Sequence, residues 1–207
     1  MDSKAHWEAI YRTKTPQEVS WFQPEARASL DLIRRVAPAL TASILDVGGG
    51  ASRLVDGLLE AGYSNVYVLD LSGAALSHSR LRLGATAARV PWIEADLLTA
   101  DLPRATFDIW HDRALFHFLT APADRARYVA QVRHAVRSGG HVVVGTFAED
   151  GPTRCSGLPV VRYTPEALAD EFGPDFRLID SLRDEHRTPA GARQAFVFCV
   201  FRVKPRP

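Results

Sequence analysis

Apolar strand-like runs alternate with helix-like segments through most of the chain, and this alternation constrains the fold more than any other feature. Five such runs are predicted as strands, at residues 43–47, 66–70, 90–94, 107–111 and 141–144. The segments between them carry apolar residues at helical spacing, as a helix with one buried face does. Strands that alternate with helices indicate an α/β fold with a parallel sheet covered by helices on both faces.

The last third of the chain breaks this alternation. A helix that begins at Pro122 and includes Val136 is predicted to end at the glycine pair 139–140. Farther on, two strand-like runs at 176–182 and 195–203 follow each other with no helical period between them. We therefore expect the sheet to finish with an antiparallel hairpin.

Charge and composition exclude several classes of protein. The chain of 207 residues has 25 Lys and Arg against 24 Asp and Glu, and its net charge of +1 gives no electrostatic support for binding nucleic acid or an anionic membrane. No apolar run approaches the ~20 residues of a membrane span, and no secretory core is visible, so we expect a cytoplasmic protein. Cys155 and Cys199 have no metal-ligand or redox spacing, so no metal is expected.

A glycine-rich turn and two acidic residues point to a ligand. In open parallel sheets, ligands bind beyond the carboxyl ends of the strands, and Gly48-Gly49-Gly50 follows the first predicted strand there. Asp70 ends the second strand, where its carboxylate can accept hydrogen bonds from ribose hydroxyl groups. Asp96 follows the third strand and can accept a hydrogen bond from an adenine amino group. Together these residues predict a cofactor that contains a nucleoside.

The lysine content separates the candidate cofactors. The three lysines, Lys4, Lys14 and Lys204, lie at the two ends of the chain, so neither the Tyr–Lys pair of short-chain dehydrogenases nor the lysine of a Walker loop can be placed. The third glycine of the dinucleotide fingerprint is also absent. S-adenosylmethionine has no phosphate groups and fits better. A nicotinamide dehydrogenase and a non-catalytic nucleotide-binding scaffold remain as alternatives.

The ordered motifs resemble those of class I S-adenosylmethionine-dependent methyltransferases, at residues 45–50, 69–72, 94–97, 107–117 and 138–140. The resemblance covers residues 43–147. It implies a three-layer, Rossmann-like and mostly parallel sheet of seven strands, with the last strand antiparallel. This agrees with the hairpin predicted from the pattern alone.

The front of the chain is similar to a narrower branch, which contains the lysine methyltransferases of elongation factor 1A and citrate synthase. The likeness rests on Trp7, Tyr11 and residues 19–22, together with the glycine turn. It implies that Trp7, Tyr11 and Trp21 cover the cofactor. The resemblance assigns the rest of the cofactor site to Asp46, Gly48, Gly50, Asp70, Leu71, Asp96, Leu97 and Arg113.

The segment after the fourth strand is where such folds present residues to the transferred methyl group. His111, Asp112 and His117 are therefore candidate catalytic residues, because a base is needed when the acceptor must lose a proton. The alternatives are that His117 only packs in a helix, that the His111 imidazole only satisfies a backbone group, and that Asp112 forms an ion pair with Arg113.

The identity of the methyl acceptor is the least constrained expectation. Residues 112–115 resemble the corresponding stretch of thiopurine S-methyltransferases, which favours a small-molecule acceptor such as a thiol. A protein lysine is the alternative. We expect a single domain over 1–207, as a monomer or homodimer, with an aromatic lid (1–23), a cofactor-binding core (24–147), and an acceptor-pocket loop with the terminal hairpin (148–207).

Overall fold

A seven-stranded sheet forms the centre of the computed structural model, which describes residues 3–206. The sheet order is β3-β2-β1-β4-β5-β9-β8. Strands β1 to β5 are parallel to one another, whereas β9 is antiparallel to both β5 and β8, so the predicted fold is confirmed. The strands are β1 (Ser43–Val47), β2 (Asn65–Asp70), β3 (Trp92–Glu94), β4 (Phe107–Arg113), β5 (Val136–Phe147), β8 (Phe176–Arg187) and β9 (Arg193–Val203), and a separate hairpin pairs β6 (Arg154–Cys155) with β7 (Leu158–Pro159).

Helices cover both faces of the sheet. They are α1 (Ser3–Thr13), α2 (Arg27–Val36), α3 (Leu54–Glu60), α4 (Gly73–Leu83), α5 (Pro122–Ala135) and α6 (Pro165–Phe172), with short 3₁₀ turns at Pro16–Glu18, Gly84–Arg89 and Phe116–Phe118. Within residues 3–206, none of these helices has the length and apolar character needed to cross a membrane.

The core is divided into two layers by the alternation of side chains along each strand. In β1, Ile44 packs with residues of α2, α3 and α4, including Leu32 and Leu54, while Leu45 belongs to the opposite layer with Tyr128 of α5. A strand with helices on both faces must be apolar at nearly every position. This requirement explains the continuous apolar runs of the sequence.

The boundary between α5 and β5 differs from the prediction. The helix ends at Ala135, and Gly139 and Gly140 lie inside the strand rather than ending the helix. The β4–β5 ladder shifts register between Phe107 and Ile109, and Gly139 takes a φ of 79° in this irregular stretch. The glycines therefore permit a distorted strand entry, which the sequence pattern does not distinguish from a helix end.

The carboxyl ends of the parallel strands meet at one edge of the sheet. Val47, at the end of β1, is aligned with Leu69 of β2 and with Asp112 of β4. Helix α1 is attached at this edge, because the Ala74 N–H of α4 donates to Oε1 of Glu8 at 3.2 Å. Helix α1, the lead-in helix, and the strand ends thus border the same space.

Candidate functional site

The glycine turn after β1 lies directly against two carboxylates. A Cβ atom on Gly49 would lie 2.5 Å from Oδ2 of Asp46, and one on Gly50 would lie 2.7 Å from Oδ2 of Asp70. Gly48 and Gly50 also adopt positive φ angles of 66° and 29°. Any side chain would displace a carboxylate or strain the turn, so these positions require glycine.

Asp70 ends β2 beside this turn. Its Oδ1 accepts a hydrogen bond from the Ser72 N–H at 2.8 Å. Desolvation raises the pKa of Asp70 to about 7, and the nearby Asp46 carboxylate adds to the rise, against the lowering effect of the Ser72 and Gly50 N–H groups. A carboxyl group that titrates near neutral pH is typical of a functional site.

The predicted adenine-side residues follow the neighbouring strand. Asp96 is exposed, and its Oδ1 accepts from the Leu98 N–H at 2.9 Å. Leu97 is buried, and Leu71 after β2 is partly exposed. The Ala95 N–H donates to the Asp70 carbonyl at 3.1 Å, which holds the ends of the two strands side by side.

A cleft that is open to solvent lies at this edge of the sheet. Its walls come from the glycine turn, the end of β4 and the lead-in segment (residues 3–23). They include Tyr11, Trp21, Asp46, Gly48, His111 and Arg113. The sheet edge therefore brings together six predicted site residues that are far apart in sequence.

Two charged side chains in the walls of this cleft, one buried and one partly buried, have buried hydrogen-bonding atoms without a partner. Within residues 3–206, no hydrogen-bond partner is found for Oδ2 of Asp46 or for Nε and Nη2 of Arg113. The Arg113 Nη1 donates to the Trp21 carbonyl at 3.1 Å, and the guanidinium lies 4.8 Å from the centre of the Phe196 ring. Desolvation lowers the pKa of Arg113 to about 10, although the attraction of Asp184 opposes this. Because unpaired buried charges are costly, this pair indicates a ligand with complementary groups.

His111 uses both ring nitrogens. Its Nδ1 lies 2.7 Å from Oδ1 of Asp46, and its Nε2 lies 2.8 Å from Oγ of Ser29. Sequence reasoning missed Ser29. The available signal was weak: a polar residue one helical turn before Ile33, on the face that packs into the core.

Asp112 is also fully engaged. Its carboxylate accepts hydrogen bonds from the N–H groups of Leu115 and Phe116 and from the Tyr128 hydroxyl, at 2.9, 3.0 and 2.7 Å. Burial raises the pKa of Asp112 to about 6. The ion pair considered between Asp112 and Arg113 is not formed, because successive strand residues point to opposite faces of the sheet.

His117 is the predicted catalytic residue with a free ring nitrogen. The Phe147 N–H donates to its Nδ1 at 3.4 Å, while Nε2 has no partner among residues 3–206. Desolvation and the positive charge of Arg113 lower the pKa of His117 to about 3. The ring is therefore neutral and only weakly basic at neutral pH.

The aromatic residues of the lead-in segment pack together over this edge. The Trp7 ring centre lies 5.7 Å from that of Trp21 and 5.1 Å from that of Phe118. The Trp21 Nε1–H donates to the Tyr11 hydroxyl at 3.0 Å. Sequence reasoning missed Phe118, because nothing in the local pattern links it to a residue more than 100 positions earlier.

Comparisons with known proteins agree with this geometry. Residues 44–140 match the model of a methyltransferase domain family. This segment is a class I S-adenosylmethionine-dependent methyltransferase domain. The matched residues include the glycine turn and both predicted ribose- and adenine-side acids, so S-adenosylmethionine is the cofactor of the methyltransferase domain.

Curated relatives of the methyltransferase domain include an uncharacterised methyltransferase and a protein-lysine methyltransferase. An uncharacterised methyltransferase of Mycobacterium tuberculosis is 31% identical over 120 residues, covering 56% of this chain and 56% of the relative. The human eEF1A lysine methyltransferase 2 is 24% identical over 196 residues, covering 88% of this chain and 77% of the relative. The chain thus spans little more than half the length of some curated relatives it matches.

Among solved structures, the fold is similar to that of 1,6-didemethyltoxoflavin-N1-methyltransferase from Burkholderia thailandensis. The TM-score is 0.76 at 22% identity, and the alignment covers 98% of this chain and 87% of that chain. At this identity the likeness bears on the fold alone.

Proposed function

We propose that the protein transfers a methyl group from S-adenosylmethionine to a small-molecule acceptor, such as a thiol or another soft nucleophile. One observation carries the proposal: Asp46 and Arg113, which differ in charge, line the same cleft beside the glycine turn, and each has buried side-chain atoms with no hydrogen-bond partner among residues 3–206. The methionine end of the cofactor carries an ammonium and a carboxylate. These groups complement the unpaired atoms of the two side chains in charge and in hydrogen bonding.

The remaining predicted residues fit the other parts of the cofactor. Asp70 would accept hydrogen bonds from the ribose hydroxyls, Asp96 and Leu97 would hold the adenine, and Gly48 and Gly50 would allow close approach of the backbone. Leu71, Trp7, Tyr11 and Trp21 would surround and cover the site. The bound cofactor supplies an electrophilic methyl group on a sulfonium, so the protein mainly has to align the acceptor and exclude water.

The state of the candidate bases favours an acceptor that ionises without help. His111 and Asp112 are occupied by hydrogen bonds, and the pKa of His117, at about 3, makes it a weak base. A thiol, with an ordinary pKa of about 8.5, forms some thiolate in neutral water, whereas a lysine, with a pKa of about 10.4, keeps its proton. The catalytic roles of His111, Asp112 and His117 stay predictions, and the geometry favours positioning roles for the first two.

A protein lysine is the second candidate. The likeness to the human eEF1A lysine methyltransferase 2 extends over 88% of this chain. A protein acceptor would have to reach the cleft past the aromatic residues of that segment.

Calorimetric titration with two ligands tests the cofactor assignment. S-adenosylhomocysteine carries the amino-acid end, and 5′-methylthioadenosine lacks it. Asp46→Asn and Arg113→Met are expected to weaken the binding of S-adenosylhomocysteine by about 10- to 100-fold, the range of a charge-assisted hydrogen bond. The affinity for 5′-methylthioadenosine is expected to stay unchanged. Arg80→Met is the matched control, because Arg80 also stacks on an aromatic ring, at Trp92, away from the cleft.

Failure of the wild type to bind S-adenosylhomocysteine would refute the proposal. Equal weakening of both ligands by Arg113→Met would refute the role given to Arg113. The acceptor is tested by incubating the enzyme and methyl-labelled cofactor with a cell lysate. Label in low-mass metabolites is expected, and label in a protein band would favour the lysine alternative.

A further inference from the structure

A buried chain of hydrogen bonds links helix α2 to the cofactor edge of the sheet. It runs from Oγ of Ser29 to Nε2 of His111 at 2.8 Å, and from Nδ1 of His111 to Oδ1 of Asp46 at 2.7 Å. The three residues are 1%, 2% and 2% exposed. They come from α2, β4 and β1, so the hydrogen-bond chain connects three separate elements at one point.

The direction of the hydrogen bonds follows from the chemistry of the groups. A carboxylate can only accept, so Nδ1 of His111 carries hydrogen and donates to Asp46. In the neutral ring Nε2 is then an acceptor, and the Ser29 hydroxyl donates to it. His111 therefore has no free lone pair with which to take a proton from a methyl acceptor.

Ser, His and Asp in this order also form the nucleophile-activating triads of hydrolases. That function does not fit here, because the Ser29 hydroxyl lies within α2, at 1% exposure, and does not border the cleft. Asp46 and His111 do border the cleft. The functional end of this hydrogen-bond chain is thus the Asp46 carboxylate and not Ser29.

We infer that Ser29 and His111 are positioning residues that hold the Asp46 carboxylate in the orientation that receives the ammonium of the cofactor. With Oδ1 bound to His111, the second oxygen, Oδ2, stays beside Gly49, where a Cβ atom would approach it to 2.5 Å, and it has no partner within residues 3–206. A carboxylate fixed in advance loses less rotational freedom when a ligand binds. This inference rests on the proposed function, since it assumes that the cofactor occupies the cleft.

Two substitutions at one position separate the two bonds of the chain. The amide of His111→Asn falls near the position of Nδ1 and can still donate to Asp46, whereas the amide of His111→Gln falls near Nε2 and can contact only Ser29. We expect His111→Gln, which loses the direct hydrogen bond to Asp46, to weaken the binding of S-adenosylhomocysteine by about tenfold. His111→Asn and Ser29→Ala, which lose only the indirect hydrogen bond between Ser29 and His111, are expected to weaken it by about threefold each. Affinity for 5′-methylthioadenosine, which has no ammonium, is expected to stay the same.

A purely structural role would give a different pattern. Equal loss for both ligands in His111→Gln, or equal effects of His111→Gln and His111→Asn, would overturn the inference. Ser29→Ala is expected to add nothing in the His111→Asn background, and full additivity would also contradict it. His134→Gln is the matched control, because the His134 ring bonds a carbonyl, that of Leu102, on the far side of the molecule.

Two further results keep the test decisive. If His111→Gln melts at too low a temperature to be titrated, Ser29→Ala with the two ligands carries the test, because it removes one oxygen atom and leaves the ring in place. If the wild type does not bind S-adenosylhomocysteine at all, the proposed function fails. If the wild type binds it and none of the variants alters the preference between ligands, this inference alone fails.

Discussion

The proposed cofactor cradle and the aromatic cover of the site are built in different ways. In the cradle, the turn at 48–50 and the carboxylates of Asp46 and Asp70 bring together backbone and short side chains at the ends of adjacent strands. In the aromatic cover, formed by Trp7, Tyr11, Trp21 and Phe118, large rings from distant parts of the chain meet, such as Trp7 with Phe118. The cradle depends on local backbone geometry, whereas the aromatic cover depends on long-range packing.

This difference indicates how the two sides can change independently. The glycines and carboxylates near the ends of β1, β2 and β3 are proposed to bind cofactor groups that all reactions of this class share. The aromatic cover and the β6–β7 hairpin meet through a contact of 3.4 Å between Ser156 Oγ and His6 Nε2, which no spacing rule constrains. Acceptor specificity is therefore expected to lie in the second region.

The largest expected effect comes from the cradle. In Gly50→Ala, the added methyl group would lie 2.7 Å from the Asp70 carboxylate and 3.0 Å from Cβ of Ala75. We expect the affinity for S-adenosylhomocysteine to fall by about 100-fold or more, equivalent to about 2.8 kcal/mol, as measured by calorimetry. Gly84→Ala is the control: its φ of 56° is also positive, but no atom lies within 4 Å of the added methyl. Unchanged affinity in Gly50→Ala would contradict the close-packed cradle.

The second expected effect is a pH dependence that belongs to Asp70. Because the pKa of this carboxyl is about 7 and ribose hydroxyls donate to its ionised form, affinity should rise about tenfold from pH 6 to pH 8 and then level off. Asp70→Asn should bind more weakly and lose most of this slope, while Asp96→Asn should keep it. Titrations at several pH values measure the slope, and an equal slope in Asp70→Asn would contradict the assignment.

Asp70 also predicts how the stability of the ligand-free protein changes with pH. Its ordinary pKa of 3.8 is raised to about 7 in the folded protein, so the folded state binds more protons between these values. The contribution of Asp70 to the free energy of unfolding therefore falls as pH rises through this window. Asp70→Asn should consequently melt at a higher temperature than the wild type above pH 7, and the two should converge below pH 4.

Local patterns predicted most of the cradle and little of the cover. Strand β1 has the predicted bounds, 43–47, because a strand buried on both faces leaves a continuous apolar run. The spacing of Val136 from Val132 predicts a helical position, but α5 ends at Ala135 and Val136 is the first residue of β5. Ser29 and His111 are 82 positions apart, and only the arrangement of α2 over β1 and β4 brings them together. Such contacts depend on the assembled core and leave no local pattern in the sequence.

The smallest expected effect concerns the aromatic cover. Trp7→Ala removes ring contacts to Trp21 and Phe118, and each aromatic pair contributes about 0.5–1.5 kcal/mol. Part of this loss also affects the ligand-free protein, so we expect only about fivefold weaker binding of S-adenosylhomocysteine and faster release, measured by calorimetry and stopped-flow competition.

The pH slope of the wild type should persist in Trp7→Ala, because the slope belongs to the cradle. Trp7→Phe should recover most of the affinity, since it restores a ring at the same position. Trp92→Ala, which removes a ring at the start of β3, is the control for general loss of packing. A loss in Trp7→Ala as large as that in Gly50→Ala would instead make the lead-in helix part of the cradle. The division between a backbone-built cradle and a packed aromatic cover would then fail.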